Sequence, residues 1–171
     1  MMCYPNMYQQ KIENINYQKL KRLGIKCLIF DLDNTIALIN QDKITNSTKR
    51  LLNSLKKDFK IVIISNNVNK RVKKYADTLS CDFVANAMKP LSRGYRKIRK
   101  KYGFQKEEMC MIGDQIVTDI YGGNRYHMFT ILVDPLGTKD LKITSLNRFI
   151  ERKILKKYEQ KEIMKKGVYY E

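Results

Sequence analysis

Short, largely apolar runs alternate with helical patterns along this chain, and that alternation restricts its architecture more than any other feature. The runs are "KCLIF" (26–30), "KIVIIS" (60–65), "DFVA" (82–85), "MCMIG" (109–113) and "MFTILV" (128–133). Helical patterns lie near 47–57, 68–79 and 91–102, with a short one ending at Gly122-Gly123 and a final one from about 145 onward. Leu51, Leu52 and Leu55 mark one face of the first, and Pro90 suits the first turn of the third. Strands that are apolar throughout, separated by helices, belong in a parallel sheet covered on both faces. The expected fold is therefore α/β, a three-layer, doubly wound parallel sheet.

At 171 residues the chain is long enough for one domain with a real core. An apolar fraction of 43% with 30% charged residues excludes a disordered chain. No apolar window approaches a membrane span, and "MMCYPNMYQQKIENINYQKL" lacks the basic start and apolar stretch of a secretory signal. The four cysteines, Cys3, Cys27, Cys81 and Cys110, have no CxxC spacing and read as reduced thiols of a cytoplasmic protein rather than as zinc ligands.

In a doubly wound sheet the ligand site lies beyond the carboxyl ends of the strands. The first run delivers Asp31 and Asp33 there, and the second delivers Ser65 and Asn66. Lys89 precedes the 91–102 helix, and the fourth run delivers Asp114, with Thr118 and Asp119 one turn later. Carboxylates crowded this closely need a cation. Mg²⁺ suits oxygen ligands and works beside phosphates, so Asp31, the Asp33 carbonyl and Asp114 are the expected ligands, with Asp119 acting through a water. Lys89, Ser65 and the Asn66 N–H would hold the remaining oxygens of a phosphate. Asp31 would then attack phosphorus to give an aspartyl-phosphate, with Asp33 as acid and base.

These residues form a recognisable set. "DLDNT" (31–35), "SNN" (65–67), "KP" (89–90) and "GDQIVTD" (113–119) resemble the four motifs of the haloacid dehalogenase (HAD) superfamily of phosphatases. Ser65 lies 34 residues after Asp31, Lys89 24 after Ser65 and Asp114 25 after Lys89, in the family's order. "GDQIVTDIYGGNR" followed by "ILVDPL" is similar to the YqeG type of class IIIA, over roughly residues 17–152. The resemblance implies Asp31 as nucleophile, Asp33 as acid/base and a Mg²⁺ site including Asp114, with Thr35 and Asp119 in support. It also implies a phosphatidylglycerophosphatase-like substrate. The expected division is an N-terminal extension (1–20), a HAD-like phosphatase domain (21–152) and a basic C-terminal helix or tail (153–171). "NRYHMF" departs from the family pattern, where a glycine often stands in place of His127; a surface position near a strand start is expected for this histidine.

The 34- and 24-residue intervals between motifs leave no room for a cap domain, so the site should be open, shielded only by the 36–45 loop. Open sites suit phosphates borne on something large. The net charge of +17 fits phosphorylated substrates, nucleic acid or an anionic membrane. Residues 148–166, with eight basic and three acidic side chains, could lie on a bilayer through Ile150, Ile154, Tyr158 and Met164, or could pack as an ordinary last helix. Tyr4, Met7 and Tyr8 could be interfacial or merely frayed. The leading expectation is a Mg²⁺-dependent phosphomonoesterase acting on a lipid head group, cytoplasmic and peripheral on the inner membrane surface. Alternatives are the same chemistry on a nucleic-acid end or phosphoprotein, and a non-catalytic partner of a ribosome or GTPase. Receiver domains lack an acid two residues after the nucleophile, and no P-loop motif occurs.

Overall fold

The computed structural model describes residues 4–39, 41, 43–137, 144–160 and 164–171, the side chains of 144–150 excepted. Cys3, parts of the 36–45 loop and part of the basic C-terminal segment fall outside the described residues.

Six parallel strands form one sheet: β1 (Met7–Gln9), β2 (Cys27–Asp31), β3 (Lys60–Ile64), β4 (Asp82–Val84), β5 (Met109–Gly113) and β6 (Phe129–Val133), in the order β1-β6-β5-β2-β3-β4. The helices are α1 (Tyr17–Arg22), α2 (Asn46–Leu55), α3 (Asn69–Leu79), α4 (Arg93–Tyr102), α5 (Tyr121–Arg125) and α6 (Thr144–Gln160). The expected doubly wound fold is present, and no cap domain occurs among the described residues. No described helix is long and apolar enough to cross a membrane.

Alternate residues of each central strand build the two faces. Leu28, Phe30, Ile61 and Ile63 pack with Leu52 of α2 and with Val72 and Tyr75 of α3. Cys27, Ile29, Val62 and Ile64 pack on the opposite face with Tyr95 and Ile98 of α4. Cys27, Cys81 and Cys110 are free thiols; burial pushes Cys27 up to about 12 and Cys81 up to about 11. They are therefore poor nucleophiles and poor ligands.

Several boundaries differ from the sequence pattern. β1 and α1 were not expected, and Met7 and Tyr8 are buried in the sheet rather than presented to an interface. β1 pairs with β6 on one side, while Tyr8 exchanges backbone hydrogen bonds with Tyr170 on the other (2.9 Å each way). The Tyr8 hydroxyl donates to Asp134 at 2.5 Å, and the Tyr169 hydroxyl donates to the same carboxylate at 2.6 Å. Both chain ends thus meet on one edge. α6 is described over Thr144–Gln160, and Met164 packs with Tyr8, Ile116, Ile120 and Leu132. Pro90 sits in a loop, because α4 begins only at Arg93. α5 continues through Gly122 and Gly123 instead of ending there. The second glycine serves close packing, since a Cβ on it would lie 2.6 Å from the Thr130 methyl.

His127 is exposed just before β6, with φ at 63°. This is the left-handed region that glycine enters freely and other residues enter at roughly 1–2 kcal/mol. Glycine would take this backbone without that cost. Replacing His127 with glycine should raise stability by about 0.5–1 kcal/mol, the strain relieved less the entropy glycine adds to the unfolded chain; urea unfolding would measure it.

Candidate active site

Strand register assembles the site. Asp31 closes β2 opposite Ile64 of β3, and Phe30 lies opposite Ile112 of β5. Ser65 and Asp114, on the tips of β3 and β5 that flank β2, each stand one residue beyond the level of Asp31 at the carboxyl end of the sheet. All three are buried, as are Asp33, Thr35, Lys89 and Asp119, whereas Asn66 is exposed.

Lys89 is the centre of the cluster. Its Nζ lies 2.5 Å from Asp31 Oδ1 and 2.6 Å from Asp119 Oδ1, and both ion pairs are shielded from solvent. Asn66 fixes the backbone beneath it: Lys89 N–H donates to Asn66 Oδ1 (2.7 Å), and Asn66 Nδ2 donates back to the Lys89 carbonyl (3.0 Å). The side chain of Asn66 therefore positions the lysine. Burial alone would lower the Lys89 pKa, but Asp119 and Asp31 outweigh it and hold the ammonium above its ordinary range. Burial pushes the Asp31 carboxyl well above the usual carboxylate range; Lys89 opposes this, while Asp119 and Asp114 add to it.

Asp31, Asp114 and Asp119 each offer an oxygen within 4.8 Å of the others. Ionised together, the three carboxylates against one ammonium would leave two negative charges in a dry pocket, which a divalent cation would balance. The donors are all oxygens, the chemistry of a hard ion such as Mg²⁺. Asp119, expected to act through a water, places an oxygen in this same group. Its position has a backbone cause. Ile116–Ile120 form a π-helical turn, in which the amides of Asp119 and Ile120 both reach the Gln115 carbonyl. The Gln115 N–H donates to Asp119 Oδ2 (3.1 Å), and Thr35 Oγ1 donates to Asp114 Oδ1 (3.2 Å). The carboxyl lies over Gly113, where a Cβ would come within 2.2 Å of Asp119 Oδ2.

Asp33 does not join the trio. Its Oδ1 accepts from Arg71 Nε (3.1 Å) and Nη2 (2.7 Å), and its Oδ2 accepts from Asn67 Nδ2 (3.2 Å). The two aspartates of "DLD" are therefore kept apart by separate cations, Lys89 for one and Arg71 for the other. The turn after them holds Asn34 at φ 64°, with its N–H on the Ala37 carbonyl (2.7 Å). Ser65 Oγ accepts from the Asn67 N–H (3.1 Å), and Thr118 caps Gln115 through its Oε1 (3.2 Å).

Arg71, Asn67 and Tyr95 escaped the sequence reading. Arg71 lies 38 residues from Asp33 and looks there like one more solvated base of α3; the only available signal was its place in the first turn after "SNN". The Tyr95 hydroxyl is buried with no hydrogen-bond partner among the described residues, and burial raises its pKa while Lys89 opposes the rise.

A family model described as a haloacid dehalogenase-like hydrolase matches residues 16–127. The chain is 37% identical over 161 residues to the "Probable phosphatase YqeG" of Bacillus subtilis, covering 92% of each chain. It is 26% identical over 147 residues to the chloroplastic "Phosphatidylglycerophosphate phosphatase 1" of Chlamydomonas reinhardtii, spanning 80% of this chain and 55% of that protein. Among solved structures, the putative HAD-hydrolase YfnB of Bacillus subtilis, bound to magnesium, superimposes with a TM-score of 0.56 at 14% identity, over 70% of this chain and 91% of that one.

The Gly113 contact yields a direct test. Gly113→Ala should push Asp119 off its seat, cost about 1–3 kcal/mol as overpacking does, and weaken divalent-cation binding measured by titration calorimetry.

Proposed function

The chain belongs to the haloacid dehalogenase-like hydrolases, and on that premise we propose that it is a Mg²⁺-dependent phosphomonoesterase whose substrate is a phosphorylated lipid head group of the phosphatidylglycerophosphate type. The observation that carries the chemistry is the buried cluster of Asp31, Asp114, Asp119 and Lys89 at three neighbouring loops. The lipid reading is supported by the named activity of the relatives at 25–26% identity, and by a site that no cap covers among the described residues.

Asp31, Asp114 and Asp119 would hold the cation, with the Asp33 carbonyl as a further oxygen. When bound, the ion supplies charge neutralisation at the phosphate and fixes one of its oxygens. Lys89 neutralises a second oxygen, while the Ser65 hydroxyl and the Asn66 N–H donate to the third. A carboxylate oxygen of Asp31 then forms a bond to phosphorus as the bond from phosphorus to the ester oxygen breaks. Asp33, entering the cycle protonated, gives that proton to the departing alkoxide, which leaves as the alcohol. In the second half Asp33 takes a proton from water, whose oxygen attacks phosphorus. That step releases inorganic phosphate and restores the Asp31 carboxylate. Arg71 acts through Asp33 and is a positioning residue, since it holds that carboxyl at a fixed angle beside the crevice.

Asp31→Asn should lower kcat by about 1,000-fold or more without loss of thermal stability, and chelation of divalent ions should abolish wild-type turnover. Side-by-side kcat/KM values on phosphatidylglycerophosphate, a 3′-phosphorylated oligonucleotide and a phosphopeptide identify the substrate class, with the lipid expected to lead. Retained activity in Asp31→Asn would overturn the chemistry, and a faster nucleic-acid or peptide reaction would overturn the substrate. For Arg71→Ala the expected outcome is a kcat about tenfold lower with altered pH dependence, partly restored by Arg71→Lys.

A further inference from the structure

Of the large apolar side chains exposed on the described surface, several crowd the rim of the catalytic crevice. Val68 (59% exposed) follows β3, Met88 (54%) and Leu91 (48%) follow β4, and Leu136 (47%) follows β6. All three loops leave the carboxyl edge of the parallel sheet, the edge that carries Asp31 and Asp114. The loops are tied to the site and to one another. The Asn86 N–H donates to the Asn67 carbonyl (3.0 Å), and the Leu91 N–H donates to the Met88 carbonyl (2.9 Å). On the other flank the Leu136 N–H donates to the Asn34 carbonyl (2.9 Å), within the turn that carries Asp33.

Met88 is displayed by a constrained backbone. Its φ is 57°, that of Asn86 is 47°, and the next residue is the Lys89 clamped by Asn66. A bulky side chain held in the left-handed region and turned to water is retained where it serves a function. Monomeric proteins rarely keep apolar clusters in water without one.

The loops that carry Val68, Met88 and Leu91, and the helices that follow them, open on basic residues alone. No Asp or Glu occurs from Phe59 to Ala76 or from Val84 to Lys106. Lys70 precedes Arg71 on α3, and α4 carries Arg93, Arg96, Lys97, Arg99, Lys100 and Lys101. Between α4 and the 84–88 loop lies a cleft of about 390 Å³, lined by Asn69, Asn86, Met88, Arg93 and Lys97. A nucleic-acid backbone would engage the cations and leave Val68, Met88 and Leu91 in water. An anionic bilayer takes both, with the apolar side chains at the acyl boundary and the cations among the head groups.

We propose that the rim formed by Val68, Met88 and Leu91, with Leu136 opposite and Lys70, Arg93 and Lys97 behind, docks the crevice face-down on an anionic phospholipid bilayer. This rests on the lipid-phosphatase reading above and assigns the contact to the catalytic edge rather than to the basic C-terminal segment. The surface that bears the substrate then closes the site from outside.

Co-sedimentation with vesicles of phosphatidylglycerol and phosphatidylcholine, against phosphatidylcholine alone, tests the surface. Wild type should partition to the anionic vesicles and little to the neutral ones. The triple variant Val68→Ser/Met88→Ser/Leu91→Ser should lose about tenfold or more of that partition. Arg93→Gln and Lys97→Gln should each lose about fivefold, while Leu91→Trp should gain. In all of these, Mg²⁺-dependent hydrolysis of p-nitrophenyl phosphate should stay at the wild-type level. A wild type that ignores anionic vesicles, or a triple variant that partitions as wild type does, overturns the docking proposal. These vesicles carry no phosphomonoester, so the result is independent of turnover: docking with no hydrolysis of any phosphomonoester overturns the enzymatic reading alone.

Discussion

The Lys89 ammonium, shared between Asp31 and Asp119 in a dry pocket, is the interaction on which the rest of the structure depends. It joins three segments that are distant in sequence: the tip of β2, the loop after β4 and the π-helical turn after β5. Removing the ammonium from such a buried cluster would leave the carboxylates uncompensated, which is among the costliest changes a fold can suffer. The fold therefore surrounds the lysine with fixtures. Asn66 grips its backbone from both sides, Gly113 clears space for Asp119, and Thr35 steadies Asp114. Each fixture uses a small or neutral group, so none adds charge to a site that already has an excess of it.

The separation of Asp31 from Asp33 follows the same logic. Alternation would send residues two apart to the same face of a strand, but β2 ends at Asp31 and Asp33 belongs to the turn held by Asn34, so each carboxyl finds its own cation. The Asn34 turn then bends the chain back to Ala37 within four residues, which brings Arg71 within reach of Asp33. The two carboxyls thus sit two residues apart in different surroundings, one against a buried lysine and one against an arginine.

The central strands were readable because they are apolar on both faces and long enough to be distinct from their flanks. The strand-tip residues were readable because a parallel sheet sends every strand's carboxyl end to one side. What escaped had no local signature. β1 spans three residues, too few for any period, and its stability comes from β6 and Tyr170, far away in sequence. Arg71 is indistinguishable in composition from the other bases of α3, and only the folded turn identifies its partner. Gly122-Gly123 resembled a helix stop because glycine usually punctuates helices, yet here the missing side chains let α5 sit close to Thr130 and Pro90. The seat of Asp119 depends on the π-helical turn, whose extra residue per cycle no helical template anticipates.

The edge where β1 lies between β6 and Tyr170 bears on how the molecule assembles. Its contacts span more than 120 and more than 160 residues respectively, so they carry the largest loop-closure entropy in the sheet. The central strands β2, β3 and β5 need no such closure and form a kernel that can precede it. During synthesis β1 emerges before the five other described strands and must wait for β6 and Tyr170 to follow. Until they close that flank, it stays open to wrong pairing.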